Sequence, residues 1–114
     1  MVLEDAGLKG MEKTLGAVEP VMNAAGFFRG GAWDYTKVNF DKKLLDGETE
    51  YYLRIRAYAK KGRPEKAQAV IQLENPVLLR HYFPHGLEET DEIPESLQEE
   101  VQSSIQQVKE NLSD

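Results

Sequence analysis

Cysteine is missing altogether from the 114 residues, so neither a disulfide framework nor thiolate chemistry is available to this chain. Histidine is nearly missing, with His81 and His85 alone. Apolar runs are short: stretches such as Ala69–Ile71 and Pro76–Leu79 fall far below the roughly 20 residues that span a bilayer. There is no P-loop, dinucleotide fingerprint, zinc-ligand spacing or nucleophile triad. Gly30-Gly31 has neither the spacing nor the strand-to-helix setting of a phosphate loop. Ser96, Ser103, Ser104 and Ser113 all lie on or after the last expected helix, away in sequence from both histidines. No motif therefore names a reaction, and no cofactor or metal is expected. Met1–Gly10 carries Glu4 and Asp5 before its first base at Lys9, and no apolar stretch of signal-peptide length follows. Together with the lack of cysteine, this predicts a cytoplasmic protein that meets no membrane.

What the chain does contain is ordinary globular material, 40% apolar and 30% charged. At this length one apolar core can form without staples and a second cannot, so residues 1–114 are expected to be a single domain. The formal net charge of −6 argues against nucleic acid as the main partner. Its distribution is uneven. Arg54, Arg56, Lys60, Lys61, Arg63 and Lys66 cluster mid-chain, while Glu88, Glu89, Asp91, Glu92, Glu95, Glu99 and Glu100 follow with no base between them. The plain reading is two solvated surfaces of opposite sign. The sharper one is complementary patches that pair within the molecule or across a dimer.

No internal repeat is present, and the hydrophobic period sets out the elements. Leu8–Lys13 is a short first strand. Val18, Val21, Met22 and Ala25 recur at helical spacing over Gly16–Ala25, with Pro20 in the first turn and Gly26 at the left-handed C-cap. The period then changes to two: Ala32–Tyr35, Val38–Leu45, Glu48–Lys60 and Lys66–Glu74 read as strands. Asp46-Gly47 suits a type I′ hairpin turn, with both residues at positive φ. Tyr51, Leu53, Ile55 and Ala57 point one way, and Tyr52, Arg54, Arg56 and Tyr58 the other. Val77–Phe83 is a last strand or an extended segment, and the acidic Pro84–Ile93 reads as loop. From Pro94 a helix of about five turns carries Leu97, Val101, Ile105, Val108 and Leu112 on one stripe. That stripe and one sheet face must bury each other. The expected fold is an α+β two-layer sandwich, β-α-β-β-β-β-(β)-α, with an antiparallel sheet.

Three segments carry a family resemblance: Gly30-Gly31-Ala32-Trp33-Asp34-Tyr35, then Tyr52-Leu53-Arg54, then Asn75-Pro76-Val77-Leu78-Leu79 leading to His81 and Gly86-Leu87-Glu88-Glu89. In order and spacing the set resembles the YugN-like family, small cytoplasmic proteins of Bacillus-type bacteria with no assigned biochemical function. The likeness spans roughly Leu8 to Glu89 and resumes at Pro94. It implies a TATA-binding-protein-like layer of sheet and helix, in agreement with the periodicity, and implies no activity. The chain departs from the family in passing almost directly from Glu89 to Pro94. It also carries Ala32 where asparagine is more usual and Arg80 where serine is.

Candidate site residues follow from chemistry. Trp33 and Tyr35 share one strand face with Asp34 opposite; beside glycines they could floor a ligand pocket, or Trp33 fills the core and Asp34 makes a turn bond. The Tyr52-Arg54-Arg56-Tyr58 face could meet a protein partner, since Tyr and Arg are enriched in binding hot spots. Its alternative is a solvated outer face whose arginines pair with Glu48, Glu50 or Asp41 across strands. His81 falls on the family motif. With His85 and the acids behind it a metal or acid–base site is conceivable, but Pro84 prevents the helix that would align the two rings. The expected function is a non-enzymatic binding or self-assembly domain, forming a homodimer through the sheet face or edge. The alternatives are a small-ligand protein, with a pocket between helix and sheet rimmed by Trp33, Tyr35 and His81, and a metal-dependent hydrolase using His81.

Overall fold

Residues 1–30, 36–64 and 66–113 are described by a computed structural model. The elements run β1 (Glu12–Thr14), α1 (Leu15–Ala24), β2 (Phe28–Gly30), β3 (Lys37–Asp46), β4 (Thr49–Lys61), β5 (Val70–Leu73), β6 (Val77–Tyr82) and β7 (Gly86–Glu89). A single 3-10 turn (Glu95–Leu97) then leads into α2 (Gln98–Leu112). Every strand pair is antiparallel. The fold is α+β, as the periodicity predicts, and no described helix is long and apolar enough to cross a membrane.

The sheet is organised around β4. One edge of this long strand pairs with β3, and β2 lies beyond β3. Its other edge pairs with β5 in its C-terminal half and β6 in its N-terminal half. Glu74-Asn75-Pro76 separates those two strands, because proline removes a ladder donor. An outer row then covers β5 and β6: β1 pairs with β5, Val2 bridges Val77, and β7 pairs with β6.

Both helices cover the same sheet face. Leu53, Ile55 and Phe40 from the sheet join Val18 and Met22 of α1 and Val101 and Val108 of α2 in one buried cluster. The α2 stripe read from the sequence is buried at all five positions, and Ser104 is buried beside it. Thr14 caps α1, its Oγ1 accepting from the Ala17 N–H at 3.3 Å. At the other end Gly26 adopts φ +92° and Phe27 N–H donates to the Met22 carbonyl at 2.8 Å, closing a Schellman motif.

Several expectations change. Pro20 is the sixth residue of α1 rather than part of its first turn, so the Gly16 carbonyl loses its helical donor. The hairpin between β3 and β4 turns on Gly47-Glu48, since Asp46 pairs with Thr49. Gly47 has φ +62° and, among the described residues, no other residue type reaches positive φ, which fits a type II′ turn rather than I′. The strand expected from Lys66 begins at Val70, because the Ala67 and Ala69 carbonyls turn aside to accept the first α1 donors, Gly16 and Leu15, each at 2.8 Å. Gly86–Glu89, expected as loop, pairs with β6 as β7, and of the expected first strand only Glu12 and Lys13 are strand. The strand expected at Ala32–Tyr35 lies outside the described residues; β2 precedes it.

Candidate interaction face

Alternation along β4 fixes two surfaces. Tyr51, Leu53, Ile55 and Ala57 enter the core, so Tyr52, Arg54, Arg56 and Tyr58 stand on the face that carries no helix. On β6, Leu79 pairs with Tyr52 and Val77 with Arg54, which places His81 on the same face. Five of the eight candidate residues therefore share one surface. Trp33, Asp34 and Tyr35 lie outside the described residues. His81 points away from the helices and cannot rim a gap between helix and sheet.

Arg54 is already engaged. Asp41, directly opposite on β3, accepts from its Nε at 2.8 Å and its Nη2 at 2.9 Å, a bidentate pair. The Asp41 carboxylate holds the Arg54 guanidinium above its ordinary pKa, against the opposing pull of burial. The outer-face alternative thus accounts for Arg54, whereas Arg56 stays exposed. Tyr58 is half-buried, with the Lys60 ammonium 5.9 Å from its ring centroid. A shallow depression of about 440 Å³ opens here, floored by Asn39, Arg54 and Arg56 and walled by Tyr58 and Glu74.

A second network centres on Glu50. Lys43 Nζ reaches it at 3.0 Å, Tyr52 Oη donates at 3.2 Å, and His81 Nδ1 stands 3.8 Å away. The hydrogen bond from Lys43 holds the Glu50 carboxyl below its usual range and raises Lys43 in turn. Burial, and then the Glu50 charge, push the Tyr52 phenol up. This network binds its own members together. Among the described residues no three His, Asp or Glu side chains converge as a metal site would require. His85 is exposed in the turn between β6 and β7, away from a shared strand position with His81.

The register exposes features that motif reasoning missed. Phe28 pairs with Asp41, Leu45 with Glu50, Leu87 with His81, and Val2 with Val77, so all four lie on the helix-free face. Leu45 and Glu50, like Phe28 and Asp41, are direct cross-strand neighbours. Phe83, at the β6–β7 tip, meets the His81 ring edge-on at 6.2 Å. Among the described residues these five are the large apolar side chains left exposed, led by Phe83 at 87%, Phe28 at 59% and Leu45 at 58%. Val77 and Leu79, buried on the same face, belong to no part of the main core cluster. Parity counted along β3 could have found Leu45; Phe28 needed the β2 pairing.

Known proteins resemble this chain in sequence, and one of them in solved structure. The YugN-like family pattern matches residues 4–113. Uncharacterized protein YlbA of Bacillus subtilis (strain 168) is 38% identical over 110 residues, covering 95% of this chain and 92% of that protein. Uncharacterized protein YugN of the same organism is 29% identical over 83 residues, 73% of this chain and 62% of its own length. The crystal structure of the uncharacterized conserved protein YugN from Geobacillus kaustophilus HTA426 superposes with a TM-score of 0.86 at 34% identity, covering 98% of this chain and 94% of that one. A match over nearly the whole chain, in sequence and in fold, identifies this protein as a member of the YugN-like family.

Proposed function

We propose that this protein is a non-enzymatic assembly domain of the cytoplasm whose helix-free sheet face docks against the same face of a second copy. One observation carries the reading: the exposed large apolar side chains of the described residues gather on that face and its hairpin tip. Scattered apolar residues mean little on a monomer, whereas a one-sided collection rimmed by polar groups is what interaction surfaces have. Charge selects the occupant. The whole chain carries −6, yet two cations of this face have acids on the same face, Arg54 with Asp41 and Lys43 with Glu50. A compensated surface can be buried against its own copy, as an isologous two-fold interface demands, while a surface of one sign repels itself. Exposed Arg56 and half-buried Tyr58 supply the residue types that dominate such contacts.

The test is solution mass across a concentration series by sedimentation equilibrium, for the native chain and for Phe28→Asp and Leu45→Asp. Native dimers that dissociate in both variants, with unchanged circular dichroism, support the reading. A native mass of one chain at every concentration overturns it, as does a dimer indifferent to both substitutions.

A further inference from the structure

A second feature lies on the opposite, helix-bearing side of the sheet, beyond the start of α2. Arg80 pairs with Tyr51, so its side chain leaves β6 on the core side. There it lines a cavity of about 380 Å³ together with Tyr51, Tyr82, Asp46, Asp91 and Glu92. Its guanidinium lies over the Tyr82 ring, 4.7 Å from the centroid. The Nε of Arg80 is buried and has no hydrogen-bond acceptor. A buried charged donor without a partner is costly, and the fold supplies no acceptor to this Nε.

The cavity walls hold carboxylates, but none of them forms an ion pair with Arg80. Their positions are fixed elsewhere. Asp46 Oδ1 accepts from Ser96 Oγ at 2.9 Å, which leaves its second oxygen open. Thr90 anchors the acidic segment, its N–H donating to the Leu78 carbonyl at 3.3 Å and its hydroxyl to the Glu92 carbonyl at 3.0 Å. The lining thus holds one cation and three acids. A phosphate or dicarboxylate reaching Arg80 would meet those acids at close range, and a polyamine would meet Arg80. A molecule carrying a carboxylate and an ammonium satisfies both. The two tyrosine rings offer apolar surface for the remainder of such a molecule.

We propose that this cavity binds a free α-amino acid, with its carboxylate on the Arg80 guanidinium and its ammonium among Asp46, Asp91 and Glu92. The standard amino acids are titrated singly into ¹⁵N-labelled full-length protein, with inorganic phosphate and spermidine as controls. The Arg80 Nε–H resonance and the amides of Thr90, Asp91 and Glu92 are followed. At least one amino acid should shift these signals saturably. Arg80→Gln should weaken its binding by about tenfold or more, the loss expected for one charge-assisted contact. Asp91→Asn with Glu92→Gln, changes on exposed positions, should weaken it as well, and they keep the test decisive if Arg80→Gln loses its dispersed spectrum. The proposal is overturned if no amino acid saturates these signals, or if phosphate or spermidine alone does so. Shifts that survive both sets of substitutions overturn it too.

Discussion

The two faces of β4 meet burial in opposite ways. On the covered face Leu53 and Ile55 are sealed from water among the helices, and Lys42 of β3, on the same face, finds partners inside the fold. Its ammonium donates to the Ala25 carbonyl at 3.0 Å and to Ser104 Oγ at 2.7 Å, tying the end of α1 to the middle of α2. On the helix-free face the order is reversed: polar groups pair within the sheet, and Phe28, Leu45 and Leu87 have no cover. Apolar burial therefore holds the first face together, and electrostatic pairing organises the second. The stability of each should answer to different perturbations.

The largest effect should come from cutting the covered face. Leu53→Ala removes a fully buried side chain and should destabilise the domain by about 2–5 kcal/mol. Arg56→Ala, on the other face of the same strand, should change stability by no more than about 0.5 kcal/mol. Urea unfolding of the two variants measures both. Equal losses would mean that the faces are not energetically distinct.

Arg54→Ala should fall between these limits. Arg54 and Asp41 expose only 16% and 14% of their side chains, so removing the guanidinium strands a half-buried carboxylate, at about 1–3 kcal/mol. Replacing both partners, Arg54→Met with Asp41→Leu, should recover most of that loss, because no unpaired charge remains. A double variant as unstable as the single one would show that the pair contributes more than it costs to bury. Arg54 is consequently a poor probe of assembly, and Phe28 and Leu45 are better ones.

Strong periodicity made half of this molecule legible from sequence. The alternation from Tyr51 to Tyr58 and the stripe from Leu97 to Leu112 each repeat often enough that a shift of boundary leaves the faces unchanged. Elements held by backbone pairing alone gave no such signal. Residues Gly86–Glu89 are poor strand formers and become β7 because the β6 edge receives them. The Ala67–Ala69 stretch looked like strand, and its carbonyls were drawn instead to the N-terminus of α1. The candidate face was found through β4, where tyrosines and arginines alternate. Its apolar members Phe28, Leu45 and Leu87 come from three other strands and meet only through register. Lys42 was hidden for the same reason: nothing local shows that a lysine facing the core reaches Ala25 and Ser104, distant in sequence.

The smallest effect should be a pH dependence belonging to the helix-free face alone. Glu50, with an ordinary value of 4.5, is lowered in the fold by Lys43. Above that ordinary value both folded and unfolded chains carry the charge, and the Lys43 contact contributes in full. As pH falls below it the unfolded chain takes up the proton first, so the contribution shrinks and is gone once the folded carboxyl has titrated. The pair is solvent-exposed, so the loss should be slight and weaker still in high salt. At the other end Tyr52 is raised above its ordinary value of 10.0, mainly by burial, so stability should fall as pH rises past that value. Glu50→Gln separates the two limbs. It should flatten the acid limb of the urea midpoint, and it should leave most of the alkaline limb standing, since burial of Tyr52 remains. An acid limb unchanged by Glu50→Gln would mean that carboxylates elsewhere set the acid response and that this face's charge network is energetically silent.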